Sequence, residues 1–383
     1  MNAIYLDNNA TTPVLPAVWE AMRPFLVDSY GNPASAHWAG RAARRALEDA
    51  REQTAAHLGS YPDEVVFTSG ATEANNLAIF SLAGEPPAGI VTSPIEHPSV
   101  AEPIAHLARR GFAVQHLGVD RRGIVRSASL TELLGPGTRL LSVMLANNET
   151  GSLQPVRELA AMVDGRVAFH CDAAQAVGRI PVHFHDLGVT TLALSAHKFH
   201  GPKGAGALLV GRHCKLLPQL HGGHQQQGRR PGTEAVALAV GLATALDLAM
   251  RESSVRLEKV LRLRHEFLEH LRGMASPVIL NGPAEGGVPH TLNLSFPGCR
   301  ADSLLMNLDL VGVACSTGSA CSSGSLLPSP VLGAMGVPDN ILHSAMRFSF
   351  SALLSEEDVT TAAQRIAAVV KRLRSVDSTR GDA

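Results

Sequence analysis

The alternation of short apolar runs with amphipathic ones between residues 64 and 171 constrains the fold more than any other feature of this chain. Apolar runs read as strands at 64–67, 89–92, 112–117, 139–145 and 166–171. Between them the spacing predicts helices at 77–82, 99–109, 130–134 and 156–163. Strands alternating with helices imply a mostly parallel sheet covered on both faces, with functional groups gathered where the strands end. Three loops fall at such ends: IEHPS around His97, ANNETG around Asn148 and DAAQAVG around Asp172.

The stretch 192–210, LALSAHKFHGPKGAGALLV, holds Lys198 between two further apolar runs. Burial and neighbouring cations lower the pKa of a lysine so placed and leave some neutral amine to attack a carbonyl. An ordinary hairpin lysine has the same local pattern.

Outside this region, helices are predicted at 16–27 and 40–58, then at 235–250 and 255–274. A second β/α group follows: strands near 278–280, 291–296 and 311–314, with a helix at 301–308. The chain closes with a helix near 330–335, a strand at 346–350 containing Arg347, a helix at 356–374 and a polar tail, SVDSTRGDA. A chain of 383 residues exceeds the usual limit for one core. The division expected is a large domain, 15–252, and a smaller one built from 1–14 and 253–383.

Lysine plus arginine number 33 and aspartate plus glutamate 34, a net charge of 33 − 34 = −1. That balance argues against nucleic acid or an anionic membrane as a general partner. The start MNAIYLDNNATTPV lacks the pattern of a signal peptide, and no apolar run approaches the roughly 18 residues of a membrane span. The cytoplasm is the expected location. The five cysteines, Cys171, Cys214, Cys299, Cys315 and Cys321, are scattered and contain no CxxC pair, which leaves a reactive thiol open. Cys321 sits in a Gly/Ser-rich stretch, CSTGSACSSGS.

Asp172 and Gln175 follow the strand before Lys198, and the run Thr68, Ser69, Gly70, Ala71 and Thr72 enters a helix. Free backbone N–H groups and the positive end of a helix dipole bind phosphate, although Ser and Thr also serve as plain N-caps. An aspartate facing a protonated pyridine nitrogen, together with an imine-forming lysine, is what a pyridoxal phosphate site requires. Singly, each residue has a plainer reading: Asp172 as a helix cap, His97 on the surface, Asn148 in a turn, Arg347 as an exposed cation.

The motifs LDNNATTP, GNPASAH, TSGATEANN, IEHPSV, NNETG, DAAQAVG, SAHKFHGPKG, GRRPGTE, GSACSSGSL and HSAMRFSFS together resemble the pyridoxal-phosphate-dependent cysteine desulfurases of the kind that serve nitrogenase and iron–sulfur cluster assembly. The resemblance covers nearly the whole chain. It implies the α/β, aspartate-aminotransferase-like fold of the class V group, with a mainly parallel seven-stranded sheet, and a homodimer with sites near the subunit interface. By the same resemblance Lys198 would be the imine lysine, Asp172 the pyridine partner, Gln175 a bond to the ring hydroxyl and His97 the residue stacked on the ring. Ala71, Thr72, Ser195 and His197 would hold the phosphate, with Thr233 reaching over from the other subunit. Asn148 would hold cofactor and substrate, while Asn32 and Arg347 would bind the substrate carboxylate.

Cys321 would be the nucleophile that takes sulfur from L-cysteine as a persulfide, releasing L-alanine. Its surrounding glycines and serines resemble the long-loop branch of the family and would let the thiol swing. The free enzyme would hold no metal, and Cys321 would be a candidate iron–sulfur ligand shared with a scaffold partner. Cys315 reads as packing at a strand end. Gln226 stands where glutamate is common and Ala235 where asparagine is common. Rival readings are an aminotransferase or selenocysteine lyase on the same fold, an idle sulfur-carrier scaffold, and a metal-dependent hydrolase. The last would use His183 with His185, His197 with His200, or His221 with His224, which lack HExxH spacing.

Overall fold

Seven strands form the central sheet, in the spatial order Val65–Thr68, Gly206–Val210, Thr191–Ser195, Ala168–Asp172, Thr138–Ser142, Gly89–Thr92 and Ala113–His116. The computed structural model describes residues 2–317 and 328–380, with the backbone alone for 376–380. All strands of this sheet run parallel except Gly206–Val210, which is antiparallel to both its neighbours. The connection from Ser195 to Gly206 is too short for a crossover, so the chain turns back as a hairpin with Lys198 inside it.

Successive side chains on these strands enter different cores. Leu192, Leu194 and Leu209 join the core under Val18, Leu58, Leu242 and Leu246, whereas Ala193, Leu208 and Val210 join the one under Ala74, Leu77 and Ala78. This is the two-faced burial that a crossover-built sheet demands.

A separate core lies in the remaining chain. Phe267, Phe296, Phe348 and Phe350 are fully buried together, with Phe267 5.1 Å from Phe348 and 5.3 Å from Phe350 between ring centroids. The three-stranded antiparallel sheet of Ile279–Leu280, Thr291–Ser295 and Ala345–Ser349 supplies part of it, and the helices Ser253–Ala275 and Glu356–Arg380 pack over it. Ile4 and Leu6 of the N-terminus belong to the same core, because Ile4–Tyr5 pairs in parallel with Val313–Ala314. That pairing delivers the next residues, Asp7 to Thr12, to the edge of the large sheet. There Thr12 N and Oγ1 both donate to the His197 carbonyl, at 3.0 and 2.9 Å.

Some element ends differ from expectation. The ladder of the strand read at 139–145 spans Thr138–Ser142. The last helix continues through most of the expected tail to Arg380, since no Gly or Pro interrupts it before Gly381. Short helices at Phe184–Leu187 and Asp339–Leu342 were too brief to show a period.

Candidate active site

The carboxyl ends of five strands and the N-terminal segment enclose a cavity of about 470 Å³. Ala71, Thr72, His97, Asn148, Asp172, Gln175, Ser195, His197 and Lys198 all line it, joined by Ala10, Thr11, Ser69, Met144, Ala146 and Lys203. Residues far apart in the chain meet here because the crossovers return every parallel strand in the same direction.

Asp172 ends its strand and is 5% exposed. Its Oδ1 accepts from Ala174 N at 2.9 Å and its Oδ2 from Asn75 Nδ2 at 2.8 Å. Both of these donors are neutral. A buried carboxylate held by neutral donors beside a cavity suits a cationic ligand group.

Asn75, fully buried, connects three groups. Its Nδ2 also donates to Ser99 Oγ at 2.8 Å, and its Oδ1 lies 3.0 Å from His170 Nε2. Ser99 in turn meets His97: Ser99 N donates to His97 Nδ1 at 3.1 Å and Ser99 Oγ lies 2.8 Å from the same atom. With Nδ1 accepting, the neutral His97 ring carries its proton on Nε2. Burial lowers its pKa, and Lys198 and Arg347 lower it further against the opposing pull of Asp172. Burial likewise brings His170 down to about 4.

Lys198 extends its Nζ to the carbonyls of Asn9 and Ala10, at 2.5 and 3.2 Å, and Gln175 Nε2 donates to the Asn9 carbonyl at 3.0 Å. His197 has its pKa brought to about 4 by burial, with Lys198 and Lys203 adding to the effect. Its Nδ1 lies 3.1 Å from Thr11 Oγ1.

The helix Ala71–Leu82 begins at Gly70, which offers no side-chain cap, so the plain N-cap reading of this turn fails. A Cβ placed on Gly206 would stand 2.5 Å from Gly70 Cα and 2.7 Å from its carbonyl carbon. The absent side chains thus let the hairpin strand press the helix start against Ser195. Uncapped amides at the positive end of this helix, with Ser195 and His197 alongside, fit a phosphate.

Arg347 is 3% exposed. Its Nη2 contacts Asp7 Oδ1 at 2.7 Å, its Nη1 donates to the Asn148 carbonyl at 3.1 Å, and its Nε has no partner among the described residues. Asn32 is exposed, with its Oδ1 accepting from Ala34 N, and neither it nor Thr233, also exposed, lines this cavity in a single chain. Cys321 lies outside the described residues, as does the Gly/Ser-rich stretch 318–325. Cys315 is packed against the second core, and burial, reinforced by Asp7 and Asp309, pushes its thiol up to about 12.

Asn75, Ser99, Asn9 and Asp7 escaped sequence reasoning. Asn75 lies one helical turn after Ala71, inside TSGATEANN, a spacing that places both on one face. Gln226 is a buried hub: its Oε1 accepts from Arg51 Nη1 and Phe67 N, at 3.0 and 3.1 Å, while its amide donates to Glu234. A glutamate there would face Glu234 without that donor. Ala235 occupies the N-cap of Val236–Arg251, where asparagine would have supplied a cap. Of the histidine pairs, His183 meets Asp186 and His185 meets Glu64, while His197 meets Thr11 and His200 the Pro13 carbonyl, and among the described residues no group of three ligating side chains could hold a metal.

Comparison with known proteins gives consistent matches. The family model for aminotransferase class-V matches residues 4–361. The chain is 43% identical over 377 residues to the cysteine desulfurase IscS of Dictyoglomus turgidum, covering 97% of this chain and 96% of the relative. It is 41% identical to a cysteine desulfurase of Klebsiella pneumoniae, covering 98% and 95%. Among solved structures, a NifS-like protein superposes with a TM-score of 0.91 at 36% identity, covering 97% of this chain and all of that one, 100%. SspA in complex with cysteine superposes at 0.80 with 33% identity, covering 91% and 99%.

Proposed function

The chain belongs to the class-V aminotransferase family and is a pyridoxal-phosphate-dependent cysteine desulfurase, and from that premise we propose the following roles for its own residues. The observation that carries them is the convergence of Lys198, the buried Asp172 and the uncapped start of Ala71–Leu82 on one cavity. When bound, pyridoxal phosphate supplies a carbonyl for covalent attachment and an electron sink for the substrate α-carbon.

Lys198 Nζ would anchor the cofactor, and its amine would be the base placed to take the substrate α-proton. Asp172 would keep the ring nitrogen protonated, Gln175 would serve the ring hydroxyl, and the neutral His97 would cover the ring. Ala71, Thr72, Ser195 and His197 hold the phosphate, with Thr233 of a second subunit completing it in a homodimer. Asn148 bridges cofactor and substrate. Arg347, whose free Nε is a buried donor, binds the substrate carboxylate with Asn32. The related SspA was solved in complex with cysteine, which supports cysteine as the substrate.

Cys321 thiolate attacks the substrate sulfur. The new S–S bond forms as the carbon–sulfur bond breaks, its electron pair stays on carbon, and protonation there gives L-alanine with a persulfide left on Cys321. The sulfur then passes to an acceptor protein, such as an iron–sulfur scaffold, in the cytoplasm. Free thiols at Cys171, Cys214, Cys299 and Cys315 accord with a reducing compartment. The division into 15–252 and the remainder completes the reading, with the smaller part carrying Cys321 and Arg347.

Replacing Cys321 by Ala tests the assignment. The variant is expected to remain yellow and cofactor-bound while releasing no sulfide from L-cysteine. Sulfide release at the parent rate would remove Cys321 from the mechanism.

A further inference from the structure

On the other side of the Lys198 hairpin, where the large sheet unit meets the second core, lies a cavity of about 530 Å³ that shares no lining residue with the active site. That volume is in the range of small-molecule sites. Its charged lining is one-sided: Arg179, Arg256 and Lys259, with Glu252 as the single acid. Glu252 is already taken by Arg256, Oε2 to Nη2 at 2.7 Å, and Lys259 Nζ donates to the Ala352 carbonyl at 2.7 Å.

Arg179 is left with a backbone acceptor. Its Nη2 donates to the Lys198 carbonyl at 2.7 Å, and among the described residues no carboxylate pairs with it. Burial and the like charge of Arg256 bring its pKa down to about 10. Beside it His290 is 1% exposed, and neither of its ring nitrogens has a hydrogen-bond partner among the described residues. Buried polar groups are rarely left unpaired, as His290 is here, and among the described residues the half-buried guanidinium of Arg179 has no carboxylate beside it. Most of the remaining wall, including Ile180, Phe199, Met250, Leu257 and Leu353, is apolar, with His200, Ser253 and Ser254 as its polar members.

We infer that this cavity is a binding site for a small organic anion, a carboxylate on a short apolar chain, its head against Arg179 and Arg256 and its chain along Ile180, Met250 and Leu353. The arrangement supplies the missing negative charge and buries the apolar wall. Because the Arg179 guanidinium also holds the Lys198 carbonyl, occupancy is transmitted to the hairpin that carries the cofactor lysine.

The test is calorimetric titration of the holoenzyme with octanoate, with L-alanine saturating the substrate site. Octanoate is expected to bind, and acetate and 1-octanol to bind at least about tenfold more weakly, since each lacks one half of the ligand. Arg256→Glu should weaken octanoate by about tenfold or more and leave desulfurase activity intact. Leu353→Asp, at a position 58% exposed and tolerant of change, should weaken it as well. Displacement of octanoate by L-alanine, equal binding of 1-octanol, an unchanged octanoate affinity in both variants, or no binding at millimolar octanoate would each overturn the inference.

Discussion

Replacing Asn75 by Ala probes the device that holds Asp172. The Asn75 side chain is fully buried and makes three contacts: Nδ2 to Asp172 Oδ2 and to Ser99 Oγ, both at 2.8 Å, and Oδ1 with His170 Nε2 at 3.0 Å. A hydrogen bond to a charged acceptor contributes about 1.5–3 kcal/mol and a neutral one about 1 kcal/mol, and truncation also leaves the surviving partners buried and unsatisfied. The expected loss is therefore about 4 kcal/mol, read from urea unfolding of the cofactor-free protein. Ser99→Ala removes one neutral bond of this set together with the Oγ contact to His97 Nδ1, and should cost about 2 kcal/mol. Since the two side chains share that bond, the double variant should lose about 1 kcal/mol less than the two single losses combined. Pyridoxal phosphate binding, followed by its absorbance, should weaken at the same time, because Asp172 is no longer oriented toward the ring. If Asn75→Ala cost under about 1 kcal/mol, the loss typical of an exposed polar site, and bound the cofactor normally, Asp172 would not depend on this network.

Two further perturbations follow from the geometry. Glu96 is fully enclosed beside the site, accepting from Ser93 and from Met144 N, and burial raises its pKa to about 8. The folded state therefore binds a proton that the unfolded state releases near the ordinary 4.5, so the stability contributed by this proton is present below about pH 4.5 and is lost as pH rises to about 8. Relative to the parent, Glu96→Gln should gain up to about 1.4 kcal/mol per pH unit across that window, and a pH-independent difference in denaturation midpoints would contradict the raised pKa. In Gly206→Ala the new Cβ would approach Gly70 backbone atoms to 2.5–2.8 Å, forcing the start of Ala71–Leu82 to move. Such overpacking costs about 1–3 kcal/mol, and because it strikes the phosphate end, apo-protein titrated with pyridoxal phosphate should bind at least about tenfold more weakly; parent affinity would show the helix start to be uninvolved.

The order of strands and helices, the hairpin around Lys198 and the gathering of His97, Asn148 and Asp172 at strand ends were legible from the chain alone. Each depends on local periodicity or on a short connection, and a parallel sheet then dictates where the ends go. The helix Val156–Val163 was read to its terminal residues, and in the structure the chain turns left-handed at Asp164 directly after it. Motif likeness carried the reading further, to the cofactor and to the reaction.

Only the folded chain determined how these groups are held. That Asp172 rests on Asn75, that His97 is neutral through Ser99 and burial, and that the N-terminal Asn9 reaches both Lys198 and Gln175 depends on partners far apart in the chain. Asn32 and Thr233 carried motif signals as strong as the others, yet in one chain they lie away from the cavity, since a motif carries no information on which subunit it serves. Periodicity is a property of neighbours along the chain. Burial, pairing and field are sums over neighbours in space, and no local pattern in the sequence encodes that sum.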